Sequence, residues 1–377
     1  HRDGPPYGAF GGVYFAHNAT RLARIGLAAP EHAAGEADPN WKPDIVHVND
    51  WPAALVPAYL RWKGLSTPSI LTIHNLAYQG LYQPDRMGAL AIPDRAFGIN
   101  GVEFHGKLSF LKAGIFYASH VTTVSETYAR EIVTPDHGCG LDGLLKTRMD
   151  EGRVTGIVNG IDESWSALET AGDATGLSRW KAQYAAEVRR GFGLPDSTGP
   201  LFAIISRLVH QKGIDLAIEA AESIVENGGQ IVVTGRGEAP LEQAIANLAR
   251  RHPHAVSARI GFDDAEARQM FAASDFLLMP SRFEPCGLSQ MYAQRVGTLP
   301  IASRTGGLVD TIEDGLSGFL FSLMTGAGLT AAVKRAFGAF RSQRDLSRMR
   351  EHAVTKRFDW SQPTNRYANL YAQAIAG

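Results

Sequence analysis

The stretch "LFAIISRLVHQKGIDLAIEAAESIVENGGQIVVTG" at residues 201–235 contains two short β-rich runs separated by a helical segment. The runs are "LFAIIS" at 201–206 and "QIVVTG" at 230–235, and the apolar residues of "GIDLAIEAAESIVEN" between them predict an amphipathic helix. Two strands joined by a crossover helix lie parallel in one sheet. The stretch therefore predicts an α/β fold built on parallel sheets.

The same alternation extends through the rest of the chain. Further strands are predicted at 44–48, 69–74, 120–125, 154–159, 256–261, 275–280 and 298–303. A chain of 377 residues is long enough for two domains. We predict two Rossmann-like, doubly wound domains facing across a cleft. Their expected bounds are 1–190 and 191–357, with a hinge in 160–199 and a final helical segment at 358–377.

Composition excludes several classes of protein. Hydrophobic residues make up 45% and charged residues 20% of the chain, which is typical of a globular protein rather than a disordered one. The formal net charge of −1 predicts neither a nucleic-acid partner nor an anionic membrane surface, and no apolar run approaches the length of a membrane span. The two cysteines, Cys139 and Cys286, form no disulfide or metal-binding pattern.

Ligands of open α/β sheets bind outside the carboxyl ends of the strands, so the residues that follow each strand are candidates for a site. Arg207 follows the strand at 201–206, and Lys212 lies five positions further on. A planar guanidinium and a mobile ammonium together suit a diphosphate. A solvated pair that closes a strand and opens a helix is an equally good interpretation of these two residues alone.

The turn "RTGGLVD" follows the strand at 298–303. Thr305, Gly306 and Gly307 precede an apolar helical segment. Glycines allow a phosphate to approach backbone N–H groups at a helix start, although a tight turn alone also favours glycine.

Other polar residues occupy equivalent positions. His74 ends "SILTIH", Asp50 ends "DIVHVND" and Asn159 ends "VTGIVN". Each lies where a ligand site is expected, and each is also compatible with a turn or a cap.

The segment "SRFEPCGLSQ" at 281–290 is unusual after an apolar strand. It brings Glu284 next to Cys286 and Gly287. Taken alone, Glu284 is compatible with a carboxylate that stabilises a helix start.

Several common catalytic patterns are absent from the sequence, namely GxxxxGK[ST], HExxH and GxSxG. No two aspartates are separated by a single residue, which is a common way of holding a metal under a sugar diphosphate. We therefore expect no metal, and we expect Arg207 and Lys212 to bind any diphosphate directly.

Together these motifs resemble bacterial glycogen synthases and plant starch synthases, which are retaining glucosyltransferases of the two-domain GT-B fold. They follow the family's order over nearly the whole chain. The matching stretches are "HNLAYQG" (74–80), "KLSFLKAGIFYASHVTTVSETYAREI" (107–132), "GIVNGID" (156–162), "SRLVHQKG" (206–213), "SRFEPCGLSQMYAQRVGTLP" (281–300) and "RTGGLVDT" (304–311).

The resemblance implies transfer of glucose from a nucleotide sugar, usually ADP-glucose in bacteria, to an α-1,4-glucan. The acceptor is the 4-hydroxyl at the non-reducing end, and the configuration is retained. No cofactor is implied, and the expected location is a bacterial cytoplasm rather than a plastid. The alternatives are a catalytically silent glucan- or nucleotide-binding fragment, or a retaining glycosyltransferase that uses a UDP-sugar.

The resemblance also implies roles for individual residues. Arg207 and Lys212 would hold the donor diphosphate, helped by the backbone around Gly306 and Gly307. Glu284 would face the donor glucose.

The remaining candidates would complete the sugar site. Glu284 would lie beside the backbone of Cys286 and Gly287. His74 would approach the same glucose from the other domain, and Asp50 and Asn159 would line the cleft.

The sequence departs from the family pattern at three points. A broader retaining family, which includes sucrose synthase, carries a second glutamate eight positions after the first, where this chain has Tyr292. Asn49 replaces the family's histidine before Asp50 and Trp51. No Lys-x-Gly-Gly-Leu loop occurs in residues 1–40, which suggests that the first part of the N-terminal domain is missing.

The end of the chain, "FDWSQPTNRYANLY", keeps the aromatic pattern of the family's last helix. In this fold that helix crosses back onto the first domain. Pro363 is expected in its first turn, where proline is tolerated.

Overall fold

A computed structural model describes residues 18–162, 164 and 174–376 of the chain. The opening residues 1–17 and the centre of the predicted hinge, at 163 and 165–173, lie outside the described residues. Contacts divide the chain into two compact units. The first comprises 1–158 and 363–377, and the second comprises 159–362.

Helices and strands alternate from residue 18 to residue 156. In chain order they are α1 (Asn18–Ala34), β1 (Val46–Asn49), α2 (Asp50–Ala53), α3 (Val56–Trp62), β2 (Ser69–Ile73), β3 (Leu81–Tyr82), three 3-10 turns (Pro84–Arg86, Gly88–Leu90, Asp94–Ala96), β4 (Glu103–Phe104), β5 (Lys107–Ser109), α4 (Phe110–Tyr117), β6 (His120–Thr123), α5 (Glu126–Glu131), α6 (Asp142–Asp150) and β7 (Val154–Gly156).

The alternation continues from residue 174 to residue 376. The elements are α7 (Ala174–Gly191), β8 (Leu201–Ile205), a 3-10 turn (His210–Lys212), α8 (Ile214–Glu226), β9 (Gln230–Gly235), α9 (Ala239–Arg251), β10 (Val256–Ile260), α10 (Asp264–Ala273), β11 (Phe276–Met279), α11 (Ser289–Arg295), β12 (Leu299–Ser303), α12 (Gly306–Thr311), β13 (Phe319–Phe321), α13 (Gly326–Arg341), α14 (Gln343–Thr355) and α15 (Ser361–Ala376).

The sheet of the first unit has the strand order β1-β2-β6-β7, and all its strands are parallel. Every residue of β2 is buried, as expected for a strand covered on both faces. A small antiparallel sheet, β3-β5-β4, also forms in this unit and was not predicted. Two of its strands have only two residues, which is too short for a periodic signal.

The final helix α15 packs onto the sheet of the first unit. Leu370 contacts Ile70 and Ile157 in one apolar cluster. Arg366 donates to a carboxylate oxygen of Glu126 at 2.7 Å. The helix begins at Ser361, so Pro363 lies in its first turn as predicted.

The sheet of the second unit has the order β10-β9-β8-β11-β12-β13, again with all strands parallel. If β8 is counted as strand 1 and β13 as strand 6, the order is 3-2-1-4-5-6, which is that of a doubly wound Rossmann sheet. The connection reverses between β8 and β11, and the crevice outside their carboxyl ends is the expected ligand site. The predicted α/β class with parallel sheets is confirmed.

Helix α7 packs with the second unit, although the sequence prediction assigned residues up to 190 to the first domain. Lys181 is buried and donates to the carbonyls of Ala272 and Val296, at 2.9 and 3.1 Å. Arg189 donates to the side chain of Gln230 at 2.7 Å. These long polar side chains stay hydrogen-bonded inside the second unit, a requirement that local sequence patterns do not reveal.

Candidate active site

Two loops meet at the reversal point of the second sheet: 206–213, which follows β8, and 280–288, which follows β11. The Arg282 N–H donates to the Gln211 carbonyl at 2.9 Å. Gly213 has a φ of +65°, and a Cβ at this position would lie 1.9 Å from the carbonyl oxygen of Pro280. Only glycine allows this approach, so Gly213 permits the two loops to touch.

An ion pair between Arg282 and Asp215 also holds the same two loops together. Arg282 binds both carboxylate oxygens of Asp215, at 2.8 and 2.6 Å, and also donates to the His210 carbonyl at 2.8 Å. The hydrogen bonds from Arg282 hold the pKa of Asp215 below its ordinary value. Arg282 therefore supports the loops that carry the candidate residues.

Lys212 and Glu284 form a direct ion pair between the loops. Lys212 Nζ lies 2.5 Å from Glu284 Oε2, and the side chains are 18% and 7% exposed. Ser281 Oγ donates to the same carboxylate oxygen at 3.0 Å. The residue predicted to bind the diphosphate and the residue predicted to face the sugar are thus in direct contact. Both side chains are largely shielded from solvent.

The glycine turn after β12 supports the Glu284 loop from the other side. The Gly307 N–H donates to the Glu284 carbonyl at 3.0 Å. Gly306 has a φ of +44°. The sequence interpretation proposed that the Gly307 amide helps to bind phosphate. To do so, the Gly307 N–H would have to exchange its hydrogen bond to the Glu284 carbonyl for one to a phosphate oxygen.

We expect Gly307→Ala to distort the loop around Glu284. The new Cβ would lie 2.1 Å from the Cys286 carbonyl oxygen, so that backbone must move. Overpacking of this kind costs about 1–3 kcal/mol, and turnover should fall with it. Urea unfolding and initial rates measure both effects. Gly338→Ala, on helix α13 with nothing within 4 Å, is the control and should be neutral or stabilising. Equal behaviour of the two variants would contradict this role of Gly307.

The backbone at Cys286 and Gly287 is held by the buried side chain of Gln290. Its Nε2 donates to the Cys286 and Gly287 carbonyls at 3.0 and 2.8 Å. Burial raises the pKa of the Cys286 thiol to about 12, although a hydrogen bond from the Asn159 backbone opposes this shift. Cys286 is therefore a neutral thiol at pH 7, and Asn159 lies directly beside it.

A cavity of about 390 Å³ opens next to this loop pair, and Arg207 and Lys212 both line it. Its other walls include the rings of Phe262, Phe271 and Tyr292. The rings of Phe271 and Tyr292 meet edge to face, with centroids 6.1 Å apart. A cavity with cations and aromatic rings suits a ligand that has both an anionic group and a flat apolar group.

His74 and Asp50 lie together in the first unit, at the carboxyl ends of the neighbouring strands β1 and β2. Asp50 has a left-handed φ of +54°, and its Oδ1 accepts from the His74 N–H at 2.7 Å. His74 Nε2 lies 2.9 Å from Asn49 Oδ1. With its amide oxygen facing the ring, Asn49 selects the tautomer that carries a proton on Nε2.

The structure thus groups the predicted residues by unit. The second unit holds Arg207, Lys212, Glu284, Cys286, Gly287, Thr305, Gly306, Gly307 and Asn159, and the first unit holds His74 and Asp50. Action of both groups on one substrate stays a prediction. Among the described residues, no three His, Cys, Asp or Glu side chains lie close enough to hold a metal ion.

Sequence reasoning missed two supporting residues, Ser281 and Gln290. Both are polar and buried, at 1% and 0% exposure. Both flank the Glu284 segment in the chain. A polar side chain so close to a candidate carboxylate was the available signal.

Comparisons with known proteins identify the family of this chain. Residues 1–147 match the family described as starch synthase catalytic domain, and residues 187–337 match glycosyl transferases group 1. A glycogen synthase of Pseudomonas putida is 54% identical over 99% of this chain and 73% of its own length. Glycogen synthase 1 of Bradyrhizobium diazoefficiens is also 54% identical, over 100% of this chain and 82% of its own length.

Solved structures give the same result. The catalytic domain of starch synthase IV from Arabidopsis thaliana, bound to ADP and acarbose, superposes with a TM-score of 0.86 at 30% identity. The match covers 96% of this chain and 78% of that one. Sucrose-phosphate synthase from Thermosynechococcus elongatus has a TM-score of 0.62 at 19% identity, covering 97% of this chain and 81% of that one, which shows a shared fold.

The two parallel-sheet units and these matches define a hexosyltransferase of the GT-B class. More specifically, the chain belongs to the family of bacterial glycogen synthases and plant starch synthases. Over the described residues, no helix combines the length and apolar character needed to cross a membrane.

Proposed function

We propose that this chain transfers glucose from ADP-glucose to the 4-hydroxyl at the non-reducing end of an α-1,4-glucan, with retention of configuration. The observation that carries the proposal is the buried Lys212–Glu284 pair at the reversal point of the second sheet. It couples the cation that we expect to bind the phosphate to the carboxylate that we expect to face the sugar, in a chain that is 54% identical to a glycogen synthase. The ADP in the similar starch synthase structure supports an adenine nucleotide as donor.

The donor nucleotide would occupy the cavity beside the ion pair. Its volume of about 390 Å³ lies in the range of small-molecule sites, about 300–1,000 Å³. Arg207 is exposed and lines the cavity with Lys212, so the diphosphate would bind Arg207 directly and would share Lys212 with Glu284. The rings of Phe262 and Tyr292 supply apolar surface for the base.

The cations would act mainly in the transition state. When the bond between the glucose C1 and the donor phosphate oxygen breaks, the electron pair remains on that oxygen. The developing negative charge is stabilised by preorganised cations more than the ground state is. Arg207 and Lys212 are the groups that provide this stabilisation.

The sugar side of the reaction would use one carboxylate. Retaining glycosidases use two carboxyl groups about 5 Å apart, whereas the candidate site offers Glu284 near the sugar position. We therefore favour attack of the acceptor hydroxyl on the same face that the phosphate leaves. The leaving phosphate oxygen then takes the hydroxyl proton, and no covalent enzyme intermediate forms. The Glu284 carboxylate stabilises the positive charge that grows on the ring.

Asn49 would act as a positioning residue for His74, which the family resemblance predicts to contact the donor glucose. Asn49→Ala removes the hydrogen-bond partner of Nε2 and is expected to lower kcat about tenfold, the effect of one such bond. Asn49→His restores a hydrogen-bonding ring and should recover most of the turnover.

The measurement for Asn49 is kcat and KM over a range of pH, since a role through the His74 tautomer alters the pH profile. Asn100→Ala, an exposed position in the same unit, is the control. Matching profiles for Asn49→Ala and Asn100→Ala would show that Asn49 does not position His74.

The decisive experiment is incubation of the protein with ADP-[14C]glucose and glycogen. Label should enter the glucan and be released by an α-1,4-specific hydrolase. ADP binding without labelled glucan would instead identify a silent binding protein. Faster labelling from UDP-[14C]glucose than from ADP-[14C]glucose would identify a UDP-sugar enzyme.

The proposed activity also indicates where in the cell the protein acts. Bacterial relatives named glycogen synthase support action in a bacterial cytoplasm, where a nucleotide sugar and a glucan are both accessible. The proposed chemistry uses cations of the protein in place of a metal and needs no cofactor.

A further inference from the structure

A second cavity, of about 740 Å³, lies in the first unit, away from the candidate residues of that unit. Its lining includes Pro68 and Ser119, which precede β2 and β6, and His120, which begins β6. Because the strands are parallel, this cavity lies at the amino ends of the sheet. His74 and Asp50 lie at the opposite, carboxyl ends.

Three arginines line this cavity: Arg61, Arg148 and Arg153. Glu151 pairs with two of them, at 3.2 Å from Arg148 and 3.7 Å from Arg153. Arg61 is exposed, and its side chain forms no hydrogen bond or ion pair within the described part of the chain. The lining therefore contains three guanidinium groups, two of which share one neighbouring carboxylate, and the cavity has an excess of positive charge.

Arg148 shows that the hydrogen bonding of this cavity is incomplete. The side chain is only 8% exposed, and its Nη2 donates to the backbone carbonyls of Ala118 and Ser119. Its Nε is buried and has no hydrogen-bond partner among the described residues. A buried donor without an acceptor is costly, so Arg148 places at this wall a third guanidinium whose hydrogen bonding within the described residues is incomplete.

His120 responds to the same positive charge. Burial, followed by the charges of Arg148 and Arg153, lowers the pKa of His120 to about 4. Its Nε2 lies 2.8 Å from Thr155 Oγ1. The ring is therefore neutral at pH 7 and offers a hydrogen bond without adding charge.

The remaining wall is apolar and includes the final helix. Phe116 and Tyr117 line the cavity from α4, and Leu370 and Ile375 line it from α15. A cavity for a bare inorganic anion would need no such surface. Its size also exceeds what one phosphate fills, since ligand sites of about 300–1,000 Å³ hold molecules with rings.

We propose that this cavity binds a phosphate monoester carried on a sugar or nucleoside ring. The phosphate would bind the guanidinium groups of Arg61 and Arg153, with the positive charge of Arg148 close by, and the ring would lie against Tyr117 and Leu370. Guanidinium groups suit this role because their paired N–H donors match phosphate oxygens. The site is separate from the proposed donor site and does not depend on the proposed function.

Nuclear magnetic resonance of the full chain with isotope-labelled histidine tests the proposal, because His120 reports on this cavity alone. The His120 signal is assigned with His120→Gln. Glucose 6-phosphate and AMP are titrated as the sugar and nucleoside probes, with glucose and inorganic phosphate as references. We expect saturable shifts with at least one monoester, at concentrations about tenfold or more below those needed for inorganic phosphate. Glucose should cause no shift.

Paired variants test the role of the arginines. Arg61→Gln combined with Arg153→Gln should weaken monoester binding about tenfold or more, because two charge-assisted contacts are lost. The matched control, Arg24→Gln with Arg95→Gln, removes the same charge at two exposed positions of the first unit and should change affinity less than about twofold. Melting curves verify that each protein is folded.

Three results would overturn the proposal. The first is an unchanged His120 signal with both monoesters, and the second is equal affinity in the two double variants. The third is inorganic phosphate binding as tightly as the monoesters, which would exclude a contribution from the ring. A preference for glucose 6-phosphate or for AMP decides which ring the apolar wall accepts, and either preference supports the site.

Discussion

Glu284→Gln is expected to lower the turnover of glucosyl transfer about 10²–10³-fold while the chain stays folded. Glutamine keeps the shape of the side chain and an oxygen that accepts from Ser281 and Lys212. It lacks the negative charge that would stabilise the positive sugar ring in the transition state. Initial rates at saturating ADP-glucose and glycogen measure the effect, and a melting curve verifies folding.

The control for this variant is Glu226→Gln. Glu226 ends α8, is exposed and belongs to the same unit, so its substitution should leave both turnover and melting unchanged. Turnover of Glu284→Gln within about threefold of the unaltered protein would remove Glu284 from the proposed site.

Lys212→Ala is expected to reduce both turnover and the stability of the second unit. The substitution leaves Glu284, which is only 7% exposed, without its charged partner. Breaking a buried ion pair by removing one partner costs about 3–5 kcal/mol of unfolding free energy. Turnover should fall about 10²–10³-fold, because the cation that faces the leaving phosphate is lost. Urea unfolding and initial rates measure the two effects separately.

A double variant separates catalysis from stability. Lys212→Met combined with Glu284→Gln removes both charges, so it should recover much of the stability lost in Lys212→Ala but none of the turnover. Lys334→Ala, an exposed position on α13, is the control and should change neither. Recovery of turnover in the double variant would show that the pair has only a structural role.

Much of the fold could be predicted because its signals are local. The predicted strand at 230–235 agrees with β9 at both ends, and those at 201–206 and 256–261 extend one residue beyond β8 and β10. Short apolar runs rich in β-branched residues identify such strands. Strand β13 and the small antiparallel sheet were missed because three-residue and two-residue strands give no periodicity.

The site could be predicted only as a set of positions. Arg207, Lys212 and Glu284 are candidates because each follows a predicted strand, where ligands of α/β sheets bind. Their mutual geometry could not be predicted. It depends on buried contacts such as those of Ser281 and Gln290, whose partners are set by packing.

The sequence by itself determined the α/β class, the positions of most strands and the family to which the motifs point. Tertiary structure alone decided that Lys212 pairs with Glu284, 72 positions away, and that Gly307 holds the Glu284 loop by its amide. Hydrophobic periodicity is encoded within a few residues, so it can be read along the chain. Strand order is a property of the assembled sheet, and the reversal between β8 and β11 is what brings these loops together.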